Sequence, residues 1–188
     1  MEKISGPAGQ KVLTYENFGK KFRVLVSRYF ECSYEIRKEY RENDTLTKFL
    51  LPLIEALGWN LCDFKEVKQE VSVPGLRGAA DCILYLNDSP MVVWEFKPLK
   101  TTIEFHDFST PKTVANSKLR GLEISKKLKA KYFVISSFRE TVVWDGASEA
   151  RIVGSILGAN ETDREQYQKM LWRLLSKSQV VLPIPKKV

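Results

Sequence analysis

Apolar residues recur every three or four positions in several stretches of the chain, a spacing that predicts amphipathic helices. The first of these helices should begin near Thr14, the second at a cap formed by Asn43 or Asp44, and the last at Thr162. Pro52 lies inside the second helix, and we expect a kink there because proline removes one backbone donor. The region between these helices follows a different period.

Alternating or short apolar runs bounded by turn residues predict strands in that central region. Three of them cover residues 67–73, 79–86 and 91–97, and the turn sequence at 87–90 indicates that the last two form a hairpin. A helix at about 111–129 follows, and then two shorter strands. Helices before, between and after a run of strands predict an α/β sandwich around a mixed sheet.

The length and composition fit one globular domain spanning residues 1–188, with 44% hydrophobic and 28% charged residues. Residues 1–13 and 181–188 are expected to be loose ends because of their Gly, Pro and Lys content. The chain has no apolar run of about 18 residues, the length that a membrane span needs. Its first residues lack the apolar core of a secretory signal, so a cytoplasmic protein without a membrane partner is expected.

Cysteine and histidine usage argues against several kinds of metal site. Cys32, Cys62 and Cys82 are dispersed and form no C-x-x-C pair, so they predict neither a disulfide framework nor a zinc site. We expect them to be reduced and mostly buried. The single histidine, His106, argues against a zinc hydrolase, and we assign it no role.

The chain carries a formal net charge of +7, which favours a polyanionic partner or serves only solubility. The densest positive charge lies on the helix predicted at 111–129. Such a run could bind the DNA backbone in a salt-sensitive, sequence-independent way, or it could be a solvated helix face. The candidates for DNA binding are Lys112, Lys118, Arg120, Lys126 and Lys127.

The strand at 91–97 combines an apolar face with two charges at its end. Because side chains alternate along a strand, Glu95 and Lys97 share a face with Met91 and Val93, whereas the other face is wholly apolar. Charges at the end of an otherwise buried strand are costly unless they are paired or bound to metal. A solvated strand end or a plain salt bridge is the simpler interpretation, and a catalytic site is the other.

Asp81 on the preceding strand favours the catalytic interpretation. A three-residue loop in the hairpin would place Asp81 opposite Glu95, and a four-residue loop would place it opposite Phe96. Carboxylates on opposed strand positions, about 5 Å apart at Cβ, repel each other but can share a Mg²⁺ ion. Lys97 would then orient or deprotonate the attacking water.

Three segments together form a more specific pattern: ENDTLTKFLLPLIEALGWN at 42–60, the acidic Glu70, and GAADCILYLNDSPMVVWEFK at 78–97. This combination resembles the N-terminal nuclease domain of type I restriction endonuclease motor (R) subunits, within the PD-(D/E)xK nuclease superfamily. In that family an acidic residue opens a helix ending in a Leu-Gly-Trp phrase, as Glu42 does here. An Asp and a Glu-x-Lys triplet follow on successive strands, as Asp81 and the Glu-Phe-Lys triplet do.

The resemblance implies a restriction-endonuclease-like three-layer sandwich and a role for each matched residue. Asp81 and Glu95 would bind Mg²⁺, with Mn²⁺ as a substitute and the backbone carbonyl of Phe96 as a further ligand. Lys97 would assist the attacking water, and Glu42 would join the metal site directly or through water.

Three positions match the family only weakly or depart from it. Glu70 matches a frequently acidic position and is an accessory candidate, but an ordinary exposed strand residue is an equal interpretation. Family members commonly carry Gln-x-x-x-Tyr on the helix after the third strand, where this chain has Arg120 and Ile124.

The resemblance therefore implies a Mg²⁺-dependent DNA endonuclease of a restriction or other DNA-defence system, acting as a homodimer or within a larger complex. The chain contains no G-x-x-x-x-G-K-[ST] nucleotide-binding loop. A catalytically weakened nucleic-acid-binding module on the same fold is the alternative, because the helix motif is altered. An unrelated enzyme or an adaptor protein would require Glu95 and Lys97 to be ordinary surface residues.

Overall fold

A mixed β-sheet lies at the centre of the computed structural model, which describes residues 13–103, 112–146, 151–158 and 160–181. The strands are β1 (Val67–Ser72), β2 (Ala79–Leu86), β3 (Ser89–Phe96), β4 (Tyr132–Ser136), β5 (Glu140–Asp145) and β6 (Arg151–Ser155). The helices are α1 (Tyr15–Glu31), α2 (Tyr34–Glu39), α3 (Glu42–Thr45), α4 (Leu51–Ala56), α5 (Lys112–Leu128) and α6 (Glu161–Leu175), with a π-helical turn at Leu46–Leu50 between α3 and α4.

The six strands lie side by side in chain order, and β3 and β4 are the parallel pair among antiparallel neighbours. Parallel strands need a crossover connection, and α5 lies in the segment that joins β3 to β4. One face of the sheet packs on α5, with Val93, Ile124 and Phe133 in a shared core. The other face packs on α1, α4 and α6. The predicted α/β architecture, a mixed sheet between helices, is confirmed.

The second face of the sheet contains the larger apolar core. Trp94 and Phe96 of β3 pack there in one cluster with Phe18 of α1, Ile54 of α4 and Leu171 of α6. All five side chains are at most 2% exposed. The apolar face predicted for β3 is therefore buried, which fixes the direction in which the alternate side chains of that strand point.

The β2–β3 hairpin reaches the predicted register by a different route. Its turn has two residues, Asn87 and Asp88, both with positive φ, the conformation that hairpin turns of type I′ require. A bulge after Leu84 then adds one residue to β3, so that Cys82 pairs with Trp94. The bulge also moves Met91 to the core of the opposite face, so its predicted alternation with Val93 is wrong.

The helix predicted to begin at Asn43 or Asp44 begins at Glu42, and Asp44 Oδ2 accepts a hydrogen bond from the Arg41 amide at 3.1 Å. The predicted disturbance at Pro52 takes the form of the π-helical turn that precedes it. Pro52 leaves the Lys48 carbonyl without its normal donor four residues on, and Arg28 Nη1 donates to that carbonyl at 3.1 Å.

The start of α1, the cysteines and the chain ends were also predicted from the sequence. α1 begins near Thr14, as predicted, and Thr14 caps it by accepting a hydrogen bond from the Asn17 amide. The three cysteines are free, but only Cys82 among them is buried, so the prediction that most are buried is wrong. His106 and most residues of the predicted loose ends lie outside the described residues. Across the described ranges, no helix is long and apolar enough to cross a membrane.

Trp59 joins the end of the α3–α4 segment to α6, and this contact can be tested. Its Nε1 donates to the Leu175 carbonyl at 2.9 Å in the core. We expect Trp59→Phe to lower the free energy of unfolding by about 1–3 kcal/mol, because the buried carbonyl loses its donor. Trp94→Phe is the matched control, since the buried Trp94 Nε1 has no hydrogen-bond partner among the described residues. Urea unfolding should show the larger loss for Trp59→Phe; equal losses would contradict the expectation.

Candidate active site

Asp81 and Glu95 stand at the same level of the sheet, on the face that packs against α5. The pairing of Cys82 with Trp94 brings the next residues outward, Asp81 and Glu95, opposite each other. This is the register expected of a three-residue loop. Asp81 Oδ2 also accepts a hydrogen bond from the Phe96 amide at 2.6 Å, which holds its carboxylate against β3.

Glu95 is buried, and one of its carboxylate oxygens accepts hydrogen bonds from both the strand end and the helix. The residue is 3% exposed. Oε1 accepts from Lys97 Nζ at 3.0 Å, from Ser117 Oγ at 2.9 Å and from Arg120 Nη2. Ser117 and Arg120 lie three residues apart on α5, so they present one face to the strand. Burial of this carboxylate is tolerated because two cations and a hydroxyl group surround it.

Lys97 is held by the sheet as well as by Glu95. The residue is 8% exposed, and its backbone amide donates to the Ser136 carbonyl at 2.9 Å, which continues the parallel pairing of β3 with β4. The predicted Glu-x-Lys geometry, with Glu95 and Lys97 on one face at a strand end, is what the structure has. The predicted simpler interpretation, a salt bridge, describes the same contact.

The pKa of the Asp81 carboxyl is raised to about 6. Burial is the main cause, and the negative charge of Glu95 adds to it. The hydrogen bond from Phe96 and the positive charge of Lys97 act in the opposite direction, whereas the charge of Glu42 raises the pKa further. Three carboxyl groups therefore share one electrostatic environment at this end of the hairpin.

Glu42 faces this site from the first turn of α3, and its charge also acts on Arg120. The next turn anchors the helix: Thr45 is fully buried, and its Oγ1 accepts from the Leu99 amide at 2.8 Å, just past the end of β3. Thr45 Oγ1 donates in turn to the Arg41 carbonyl at 3.1 Å. No pattern in the sequence predicted these hydrogen bonds, which hold α3 beside the site.

Glu70 is the predicted site residue that the structure leaves outside the group. It is exposed and has a φ of 50°, a left-handed conformation within β1. The neighbouring pairs, Gln69 with Cys82 and Val71 with Ala80, place it level with Asp81. Within the described part of the chain, however, no hydrogen bond or ion pair joins its side chain to the site.

The four lysines predicted to bind DNA along α5 have different surroundings. Lys127 Nζ donates to the Pro74 carbonyl in the loop between β1 and β2. Lys118 Nζ lies 5.8 Å from the centre of the Trp144 ring on β5. Lys126 is exposed. The side chain of Lys112 is not among those that the structure describes. Arg120, the fifth candidate, is engaged with Glu95, so these cations do not form one uniform patch.

The oxygen ligands at the site suit an open magnesium site. Among the described residues, no group of three or more His, Cys, Asp or Glu side chains is arranged to hold a metal ion. Mg²⁺ in proteins is nevertheless often held by one or two carboxylates, with water and substrate phosphate completing its shell. The Phe96 carbonyl lies on the same side of β3 as its amide, which points to Asp81. Asp81, Glu95 and the Phe96 carbonyl therefore fit such a partial shell.

Comparison with known proteins yields little similarity. No family model and no curated protein matches the chain. A solved structure described as "The fragment structure of a putative HsdR subunit of a type I restriction enzyme from Vibrio vulnificus YJ016" matches with a TM-score of 0.41 and 19% sequence identity. The match covers 60% of this chain and 22% of that one. The function must therefore be argued from the site itself.

The raised pKa of Asp81 predicts an unusual dependence of stability on pH. The unfolded carboxyl releases its proton near pH 4 and the folded one near pH 6, so the folded chain binds more protons between these values. Stability should therefore fall as pH rises through this window. Asp81→Asn keeps the acceptor for Phe96 and removes the effect, so we expect it to be more stable than wild type at pH 7, by at most about 3 kcal/mol.

Urea unfolding in EDTA at pH 4 and pH 7 tests this. The advantage of Asp81→Asn over wild type should grow between the two pH values. The control Asp88→Asn removes one charge from the exposed hairpin turn and should show no such growth. An advantage for Asp81→Asn that is equal at both pH values would refute the assignment of the raised pKa to Asp81.

Proposed function

We propose that this chain is a metal-dependent DNA endonuclease domain of a restriction or other DNA-defence system. The observation that carries the proposal is the convergence of Asp81 and Glu95 from adjacent strands, beside Lys97. Glu42 stands at the edge of the same site. A cytoplasmic location, DNA as the substrate, and assembly as a homodimer or within a larger complex are parts of the same proposal.

The chemistry assigns a task to each group. Asp81, Glu95 and the Phe96 carbonyl would hold Mg²⁺, with Mn²⁺ as a substitute. The bound ion would supply Lewis-acid stabilisation of the negative charge that develops on the scissile phosphate. Lys97 would orient the attacking water or accept its proton, and Glu42 would assist from the rim, directly or through water.

The surroundings of Glu95 explain why it can serve this purpose. Ser117 and Lys97 fix the orientation of the carboxylate through hydrogen bonds of 2.9 and 3.0 Å to Oε1. Oε2 receives none of the three hydrogen bonds described for this side chain. A preorganised carboxylate with one oxygen left for a ligand is what a metal site requires.

A second candidate is a nucleic-acid-binding module that does not cleave. Two cations already neutralise Glu95 in the folded chain, which is how a purely structural ion pair would look. Such a module would bind DNA through the net charge of +7 and the lysines of α5, without any requirement for a divalent ion.

Cleavage of plasmid DNA with Mg²⁺ separates the two candidates. We expect wild type to nick or linearise the plasmid, and Lys97→Ala and Glu95→Gln each to lower the rate by about 100-fold or more, because each removes a group acting in the transition state. Lys126→Ala, a charge removal on the exposed part of α5, is the control for nonspecific loss of DNA affinity.

The pattern of results decides between the candidates. Equal cutting by wild type and Lys97→Ala would refute the role of that lysine. DNA binding by wild type with no cutting in Mg²⁺ or Mn²⁺ would favour the binding module.

DNA binding itself should depend on salt in a way that reports the lysines of α5. If Lys126 contacts a phosphate, Lys126→Ala should weaken binding about equally for unrelated DNA sequences and reduce the slope of log K against log salt by about 1. Fluorescence anisotropy at several salt concentrations measures this slope. Lys20→Ala removes a charge from α1, where Lys20 pairs with Glu16, and should leave the slope unchanged. Identical slopes for wild type and Lys126→Ala would remove α5 from the DNA interface.

A further inference from the structure

Arg120 occupies an unusual position for a residue predicted to bind DNA. It reaches from α5 to the end of β3, where its Nη2 donates to Glu95 Oε1. Ser117, one turn earlier on the same helix, donates to the same oxygen. Lys97, the residue that follows β3, also donates to this oxygen. A single carboxylate oxygen thus accepts from two cations and a hydroxyl group.

The guanidinium group lies where negative charge converges. The pKa of Arg120 is raised, first by its hydrogen bond to Glu95 and then by the negative charges of Glu95, Asp81 and Glu42, although burial opposes the shift. Asp81 and Glu95 are the carboxylates that would hold the metal ion. Arg120 therefore lies in the field that attracts a divalent cation, and it neutralises part of that field.

The attachment of Arg120 is the least complete of the three donors to Glu95. Its Nε is buried and has no hydrogen-bond partner among the described residues, which carries an energetic cost. Its side chain is 36% exposed, against 10% for that of Lys97, so it has solvent into which it can move. Ser117 is short and fixed on the helix. Arg120 is the donor that can leave Glu95 without disturbing the strand or the helix.

Gly78 provides the space that Arg120 uses. It lies just before β2 with a φ of +79°, and a Cβ atom at this position would lie 3.3 Å from both Cδ and Nη1 of Arg120. The absence of a side chain at Gly78 leaves the guanidinium a path beside the β1–β2 loop. On this side, therefore, no Cβ atom restricts the Arg120 side chain.

We propose that Arg120 is the exchangeable counter-cation of Glu95: it neutralises the carboxylate in the metal-free chain and leaves it when a divalent cation binds. This inference rests on the proposed function and adds a positioning residue to it. A divalent ion and a guanidinium group on one carboxylate would repel each other strongly at such short range. Lys97 and Ser117 keep the carboxylate oriented after the exchange.

The test is the affinity of the metal-free chain for Mn²⁺, measured by calorimetry without DNA. We expect Arg120→Gln to bind Mn²⁺ about three- to fivefold more tightly than wild type, the upper part of the range that the modest strength of a partly exposed ion pair allows. Arg120→Lys keeps the charge but loses the planar guanidinium, so its affinity should fall between the two. Lys126→Gln makes the same charge change about 9 Å further along the helix and should leave the affinity within twofold of wild type.

Each result has a defined meaning. If Arg120→Gln binds Mn²⁺ no more tightly than wild type, while Asp81→Asn and Glu95→Gln abolish binding, Arg120 does not compete with the metal and only this inference fails. If Asp81→Asn and Glu95→Gln both bind as wild type does, the metal site and the proposed function fail. Absence of binding by every form, Arg120→Gln included, overturns both. Should Arg120→Gln not fold, as judged by circular dichroism, a gain of at least about twofold for Arg120→Lys supports the exchange and no gain overturns it.

Discussion

The ion pairs of Glu95 are the constraint on which this end of the fold depends. A charged glutamate that is 3% exposed at the end of a central strand would be too costly to bury alone. Its partners are Lys97, at the end of β3, and two residues of α5. The helix must therefore cross the sheet at this position, with Ser117 and Arg120 facing the strand. The crossover between the parallel strands β3 and β4 is thereby tied chemically, as well as by apolar packing, to the hairpin.

Local patterns in the sequence were sufficient to predict β2 at its observed limits and the buried face that Val92, Trp94 and Phe96 form on β3, because alternation and turn residues are both local signals. The register of the hairpin could not be decided in advance. A two-residue turn and a bulge at Met91 together produce the offset that a three-residue loop would give, and no local rule counts both. The pairing of Asp81 with Glu95 was thus one of two predicted possibilities, and the structure selects it.

The features that the sequence could not reveal are side-chain contacts between residues far apart in the chain. Arg120 lies in a helix whose many lysines are typical of DNA binding, but its partner Glu95 is 25 positions away. In the π-helical turn before Pro52, the Lys48 carbonyl accepts a hydrogen bond from Arg28, which is 20 positions away. Thr45 anchors α3 to the amide of Leu99, 54 positions away. Periodicity cannot detect such pairs, because each residue type is unremarkable at its own position.

The balance of charge at the site has a consequence for the proposed chemistry. Asp81 and Glu95 supply only two carboxylates, and Lys97 and Arg120 already offset part of their charge, so the protein alone would bind a metal ion less tightly than its complex with substrate would. The phosphate of a bound substrate would add both ligands and negative charge. Under the proposed function, metal and DNA would therefore bind cooperatively, each strengthening the site for the other. A chain arranged in this way would bind metal measurably but less tightly before its substrate arrives, which suits a nuclease that acts only at its target.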